Sequence, residues 1–489
     1  MDFLDPSKKK ANTRRLLFGY LLVAVALVFG SLIMLFRTYG YDLDRRTGKV
    51  IQNGLIYVSA EPDSARIFLN NKDRGETNTK FTVPSGRYSM ELRRDGYTTW
   101  KKTFVLDGGS VEQLVYPLLF PAKLKTTDLK LYASTPSFAS ASPNRQRLLI
   151  AQPKSIVKFD LFELNKPSAE PATLNLPKDL FNQSTGNHSL SVVEWSSNNK
   201  HLLVKHKFKG GFEFVVIDIK TPSKSFNISE TISASPTTVA LRDGQFDSFF
   251  IYSSDDKQLQ TAELNKPKPV DYINSVIDFK TFGKDKVVYA TSRGAPKNNV
   301  IVKIKDGNTT YDLRKLPKAD SYLLDIAEFN NRVLVIAGTP IESQVYVYND
   351  PIKILKQEDS SLLPPAVVLR ILKPQAASFS KNNRFIAVQH EDNFAVYDAE
   401  TDRRFYYSIG SIPDNNDKAN WMDGHRLTTL IKGKLMIFDF DGLNKRRLVP
   451  AQPGLGFFFD ANYEQLFTIA SSTAGSNKPA LTLTSLIVK

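Results

Sequence analysis

"FASASPNRQRLLIA" (138–151), "VVEWSSNNKHLLVK" (192–205) and "AASFSKNNRFIAVQ" (376–389) share one plan. An apolar pair or triplet leads into a Ser-x-Asn turn, and a strand follows. Looser copies keep the plan: "VALRDGQFDSFFIY" (239–252), "VIDFKTFGKDKVVYA" (276–290), "DIAEFNNRVLVIA" (325–337), "ANWMDGHRLTTL" (419–430) and "GFFFDANYEQLFTIA" (456–470). A second strand comes about ten residues on, as in "EFVVIDIK", "NFAVYDAE" and "KLMIFDFD", and often a third, as in "RRFYYSI". Four-stranded units recurring at roughly 38 to 54 residues are the blades of a β-propeller. A lone antiparallel blade leaves two apolar faces open. Radial stacking buries both and leaves only short edges. A parallel sheet would need helical crossovers, and almost no 3.6-residue period follows Phe36. Eight copies predict eight blades, or seven if the 138 copy and the C-terminal copy share one.

"IFDFDGLNKRRLV" (437–449) carries Asp439, Asp441, Gly442 and Asn444 ahead of an Arg-Leu ending, and "FAVYDAETDRRFYY" (394–407) is alike. These units resemble the WD40-like repeats of TolB-type propellers. The resemblance implies the fold rather than a function.

Working back toward the N-terminus, Leu16 to Phe36 is an uncharged apolar run. Twenty-one helical residues span about 31 Å, one hydrocarbon thickness. Lys8, Lys9, Lys10, Arg14 and Arg15 precede it, which predicts a cytoplasmic N-terminus. "FRTYGYDLD" follows without a small-residue cleavage site, so an uncleaved single-pass anchor is expected at 16–36, behind a basic tail at 1–15.

Residues 54 to 120 read as six or seven short strands. "GLIYVSAEP", "ARIFLNN", "KFTV", "RYSMELRRD", "TTWKKTFVL" and "VEQLVYPLLF" are separated by turn residues, with Tyr88, Met90 and Leu92 on one face. That is a small β-sandwich. Gly86 and Gly96 are placed at turns that favour positive φ. The stretches "VSAEPDSARIFLNNKDRGET" and "VPSGRYSMELRRDGYTTWKKTFVL" resemble the PEGA domain. The name motif appears as Pro62, Asp63, Ser64 and Ala65, two of its four positions departing. Gly75 with Thr77, Pro84 to Gly86, and Gly96-Tyr97 keep the later pattern. The resemblance implies a cell-envelope or surface module with no catalytic residues.

The chain has 489 residues and a net charge of +15. Residues 1–50 contribute five of these charges and 51–120 one, and no basic block is interleaved with aromatics, so no nucleic-acid groove is predicted. With no Cys, disulfides and thiolate chemistry are excluded. The histidines His188, His201, His206, His390 and His425 form no H-E-x-x-H motif, and His201 and His206 fall on opposite faces of a strand. No nucleophile elbow or P-loop occurs. "DNNDKANWMDG" (414–424) lacks calcium-loop spacing. Trp100, Trp195 and Trp421 are too few for the regular tryptophan docking of quinoprotein propellers. Dipeptidyl-type peptidases also follow an anchor with a propeller, but add a hydrolase domain. Here the chain reaches "TLTSLIVK" within the last blade, so that domain is not expected.

The expected architecture is all-β: a stalk at 37–53, a PEGA-like sandwich at 54–120, a short semi-rigid junction at 121–128 and a seven- or eight-bladed propeller at 129–489. Pro117 and Pro121 bracket Leu118, Leu119 and Phe120, which predicts burial rather than a free tether. No catalytic, cofactor-binding or metal-binding residue is assigned, and no cofactor. The expected function is a non-catalytic, extracytoplasmic scaffold in the cytoplasmic membrane, binding a protein or an envelope polymer. The alternative is an envelope-glycan hydrolase or lyase with paired carboxylates at the channel mouth.

Overall fold

The computed structural model describes residues 6–38, 40–43, 50–232, 235–357 and 363–488. It divides into two compact units, Met1–Lys123 and Leu124–Ile487.

The first unit starts with the helix Pro6–Thr38. Its part Thr13–Thr38 has a mean hydropathy of 2.6, none of it buried, and is long and apolar enough to cross a membrane. Two four-stranded sheets follow. In one, Val50–Val58 pairs antiparallel with Tyr41–Leu43 and Thr79–Pro84, and parallel with Val111–Leu114. The other runs Lys72–Glu76, Arg66–Leu69, Gly86–Arg93, Trp100–Leu106. Burial alternates strictly along Trp100–Leu106, and Ile56, Val58, Ile67, Met90, Leu92 and Trp100 make the core. The sandwich therefore begins before the expected Gly54. Residues 41–43 and 50–53 of the expected stalk are paired strands, because their backbone groups find a sheet edge instead of water.

Gly96 has φ +80°, as its turn requires, whereas Gly86 opens a strand at φ +159°. Gly54 answers a close approach: a Cβ there would lie 2.6 Å from Leu106 Cγ and 2.8 Å from the Asp107 carbonyl oxygen. The apolar run after Tyr116 docks on the sandwich. Leu119 N–H donates to Glu61 O, Thr98 N–H to Phe120 O and Ala122 N–H to Gly96 O, and Leu119 and Phe120 are buried.

The second unit is a propeller of eight four-stranded blades among the described residues. Blade 1 is Ala139–Ala141, Arg147–Ala151, Lys158–Glu163, Ala172–Asn175. Blade 2 is Ser189–Trp195, His201–Phe208, Gly211–Asp218, Phe226–Asn227. Blade 3 is Thr238–Leu241, Ser248–Ser253, Gln258–Glu263, Lys266–Asn274. Blade 4 is Asp278–Phe282, Lys286–Thr291, Asn299–Asp306, Thr309–Pro317. Blade 5 is Leu323–Phe329, Arg332–Gly338, Gln344–Asn349, Val367–Arg370. Blade 6 is Ala376–Phe379, Phe385–His390, Asn393–Asp398, Arg403–Ser408. Blade 7 is Asn420–Trp421, Arg426–Ile431, Lys434–Asp439, Arg446–Pro450. Blade 8 is Phe457–Phe459, Gln465–Ser471, Pro479–Ser485, and its outer strand is Lys125–Leu131 from the other end of the unit. That exchange closes the ring without merging the first and last repeats, which resolves the count to eight. It also starts the propeller at Lys125, ahead of the expected Leu129.

The first strand of each blade is innermost, since the first strands of blades 2 and 3, 4 and 5, and 5 and 6 touch. Apolar side chains fill the gaps between blades. Leu149 and Phe159 pack with Leu202 and Val215, Val288 and Val302 with Val335 and Tyr348. Leu148 and Ile150 of blade 1 meet Phe467 and Leu481 of blade 8. Asp128 pins the closing strand, accepting from Ser472 Oγ at 2.5 Å and Thr473 Oγ1 at 2.9 Å. Lys130 reaches the fully buried Asp160 of blade 1 at 2.9 Å.

The Ser-x-Asn turns are self-contained devices. Ser142 Oγ donates to Asn144 Oδ1 at 2.7 Å and accepts from Arg147 N. Ser196 with Asn198 and Ser380 with Asn382 repeat the geometry at 2.6 and 2.7 Å. The residue after each Asn, Arg145, Asn199 or Asn383, takes a positive φ. These turns also tie neighbouring blades. Asn144 N–H donates to Asn199 Oδ1, Ser197 N–H to Gly244 O, Asp243 N–H to Gly283 O and Lys381 N–H to Asp423 O.

Candidate functional site

Register places the inner-strand residues in tiers around the channel. Ser140, Glu194, Ala240, Lys280, Ala327, Ser378, Asn420 and Phe458 each pair with the third residue of their blade's second strand. One tier further from the Ser-x-Asn turns, Asp278 and Asp325 occupy equivalent positions of blades 4 and 5. Charge thus enters a mostly small or apolar ring at Glu194, Asp278, Lys280 and Asp325.

Several of these side chains reach the next blade. Glu194 accepts from Leu241 N of blade 3 in a short hydrogen bond. Asp278 accepts from Phe279 N at 2.8 Å and from Tyr322 N, just before blade 5, at 3.4 Å. Asp325 accepts from Ile326 N at 3.0 Å. At two other junctions an indole takes the role: Trp195 Nε1 donates to Ser140 Oγ at 2.9 Å and Trp421 Nε1 to Ser378 Oγ at 3.1 Å. Two of the three tryptophans therefore dock between blades.

Burial pushes the Glu194, Asp278 and Asp325 carboxyls above the usual range, against their backbone donors. The positive charge of Lys280 acts in the opposite sense on all three. The Lys280 side chain itself is exposed. In the blade 6 turn, Lys381 is an exposed residue, yet crowding around its ammonium and the neighbouring Arg145 lower its pKa. Arg145 lies over the Tyr463 ring at 3.7 Å and donates to Ala461 O, joining blade 1 to blade 8. The arrangement can hold a proton at a half-buried carboxyl and fix blade spacing.

His188 and His206 come together, while His201 packs elsewhere. His201 stacks on Phe246 at 3.8 Å, with Asp218 3.5 Å away. Burial lowers His425 to about 4. His206 is fully buried, its Nδ1 2.7 Å from Glu213 Oε1 and its Nε2 2.9 Å from His188 Nδ1. Burial would raise Glu213, but His206, Asn182 N and Asn227 Nδ2 together hold its carboxyl below the usual range. Among the described residues, no group of three or more His, Asp or Glu is arranged to hold a metal ion.

The channel charges were not singled out in the sequence. They are spread through mostly apolar strands, Glu194 in "VVEW", Asp278 and Lys280 in "VIDFK" and Asp325 in "LLDIAEF". The hairpins differ in length, so the offset to the second strand runs from five residues at Ala327 to eight at Ala240, and only the strand register shows which residues share a tier.

Residues 53–118 match the PEGA domain. No curated protein matches the chain. Among solved structures, the chain is similar to the Dos1 propeller, with 13% identity over 75% of this chain and 95% of that one, TM-score 0.43. A eukaryotic initiation factor structure gives 14% identity over 74% and 88%, TM-score 0.43. An oligogalacturonate lyase in complex with manganese gives 11% over 75% and 98%, TM-score 0.38. The propeller is identified by its own sheet topology.

Proposed function

We propose that this protein is a non-catalytic binding scaffold, anchored in the cytoplasmic membrane by Thr13–Thr38 with its sandwich and propeller outside. The basic residues before the helix support that orientation. The PEGA domain acts as spacer or adhesion module, and the propeller presents its surface to a protein or envelope polymer. The observation that carries this reading is the engagement of the channel carboxylates. Glu194 and Asp278 accept backbone N–H groups of the next blade and so tie neighbouring blades, and Asp325 is engaged within its own strand. Cross-linking on intact envelopes followed by capture of the full chain tests it: a stable partner is expected. Protease added to cells with an exposed cytoplasmic membrane should digest the propeller and spare the N-terminus, and the reverse pattern refutes the topology.

The raised carboxyls favour one rival, a glycan hydrolase with a buried general acid. Incubating envelope glycans with the wild type and with Glu194→Gln, Asp278→Asn and Asp325→Asn decides between them. Release of new reducing ends that these variants abolish would support the enzyme. No release by the wild type is the scaffold's expectation.

A further inference from the structure

The propeller's net charge lies on one structural element. Residues 125–489 hold 46 Lys or Arg and 38 Asp or Glu. The outer strands of the eight blades hold eleven of the former and three of the latter, leaving 35 of each for all the rest. The eleven are Lys266 and Lys268 on blade 3, Arg314 and Lys315 on blade 4, Arg370 on blade 5, Arg403 and Arg404 on blade 6, Arg446 and Arg447 on blade 7, and Lys125 and Lys130 on blade 8. The outer strands of blades 1 and 2, Ala172–Asn175 and Phe226–Asn227, carry no charge.

Charged residues on an outer strand have an ordinary use: they stop a free edge from pairing with another chain. That use does not account for the sign, since either charge blocks an edge. Nor does it account for blade 3, where Pro267 and Pro269 already interrupt the edge beside Lys266 and Lys268. The three acids, moreover, are engaged. Asp128 accepts from Ser472 and Thr473, Asp271 from Gln260 Nε2 at 2.8 Å, and Asp312 from Lys303 Nζ at 2.5 Å. Eight of the cations, Lys125, Lys266, Lys268, Lys315, Arg370, Arg403, Arg404 and Arg447, are exposed.

We propose that this basic rim, running over blades 3 to 8, docks a flexible polyanionic polymer of the cell envelope, a chain of phosphodiester or uronate units. The inference rests on the scaffold reading and names its partner and surface. Curvature selects the occupant. Each of eight blades takes about 45° of the ring, so six consecutive blades bend around far more than a flat surface touches. A planar anionic bilayer meets only a sector, whereas a flexible chain follows the arc. Arginine suits this partner, because its planar fork binds phosphate or carboxylate oxygens in pairs.

The test uses the full chain in detergent micelles, with polyphosphate or polygalacturonate immobilised as probe and salt varied. The wild type should bind with an affinity that falls steeply with salt. Arg370→Glu, Arg403→Glu, Arg404→Glu and Arg447→Glu combined should weaken binding at least tenfold and flatten the salt slope, by roughly 0.7 per lost contact on a single-stranded polyanion. A control with the same net charge, Lys178→Glu, Lys209→Glu, Lys297→Glu and Lys318→Glu, alters loops between strands and should bind within about threefold of wild type, net charge acting only as a diffuse field. Equal loss in both variants, no binding of either probe by the wild type, or equally tight binding to anionic vesicles through the same arginines overturns the proposal. If the rim variant still captures the wild-type partner from cross-linked envelopes, the rim inference fails and the scaffold stands. If the wild type captures nothing, the scaffold itself fails.

Discussion

Asp398→Asn tests how the blades are clasped. Asp398, at the end of the third strand of blade 6, is 2% exposed. It accepts Arg384 Nε at 2.8 Å and Nη2 at 2.6 Å, Thr401 Oγ1 at 2.8 Å and Glu400 N at 3.0 Å. One carboxylate thus joins the Ser-x-Asn turn to the next hairpin turn. Breaking a buried pair costs about 3–5 kcal/mol when a charge is stranded. Here the Arg384 side chain keeps 23% exposure and a second carboxylate partner in Glu400, so its charge is not stranded and the expected cost falls to about 2–3 kcal/mol. At roughly 2.1 cal/mol/K per residue, a 365-residue ring unfolding as one unit has an entropy near 0.77 kcal/mol/K, so Tm should drop by about 3–4 °C. Burial would raise Asp398, yet Arg384, Thr401 and Glu400 N hold its carboxyl below the usual range. Its contribution is therefore present above the unfolded-state pKa, about 3.9, and is lost as pH falls through the lower folded value. The wild-type advantage in differential scanning calorimetry should be full at pH 7 and shrink below about pH 4. Arg384→Met combined with Asp398→Asn should cost less than the sum of the two single changes, by at least about 1 kcal/mol. A shift under 1 °C at pH 7, or strict additivity, would refute the clasp.

Glu194→Gln, Asp278→Asn and Asp325→Asn together should narrow the stability loss that the wild type suffers as pH rises from about 4 through the raised folded values, because each raised carboxyl favours its protonated form in the folded state. Urea midpoints at pH 5 and pH 8 check this. Gly54→Ala forces a Cβ into Leu106 and the Asp107 carbonyl, and should destabilise the sandwich by about 1–3 kcal/mol, read as faster amide exchange in 54–58 and 100–106. Trp195→Phe removes the Nε1–H donor from the buried Ser140 hydroxyl and should cost about 1 kcal/mol, with Ser140→Ala adding little on top. Limited proteolysis should spare 118–122, whose backbone is bonded into the sandwich, and favour loops such as 414–418. Fast cutting at 118–122 would contradict that docking.

The sequence by itself determined the parts. The apolar run after Arg15 marks the membrane-length helix, because a 21-residue uncharged stretch has no comparable use in a small soluble domain. The period-two pattern of Trp100–Leu106 and the Ser-x-Asn turns specify strands and hairpins through contacts only a few residues apart, so they are legible locally. Asp218, Asp398 and Asp439 share the sixth position of the quoted strands "EFVVIDIK", "NFAVYDAE" and "KLMIFDFD". Their side-chain partners His201, Arg384 and Asn444 were not legible there, since only the folded hairpin decides which residue comes within reach. Only the tertiary structure decided the number of blades, because closure depends on Lys125–Leu131 pairing with a strand some 350 residues away. It alone assembled the channel tier and the basic rim. Each draws single residues from separate blades, and a ring brings into one surface side chains that the chain itself keeps about forty residues apart.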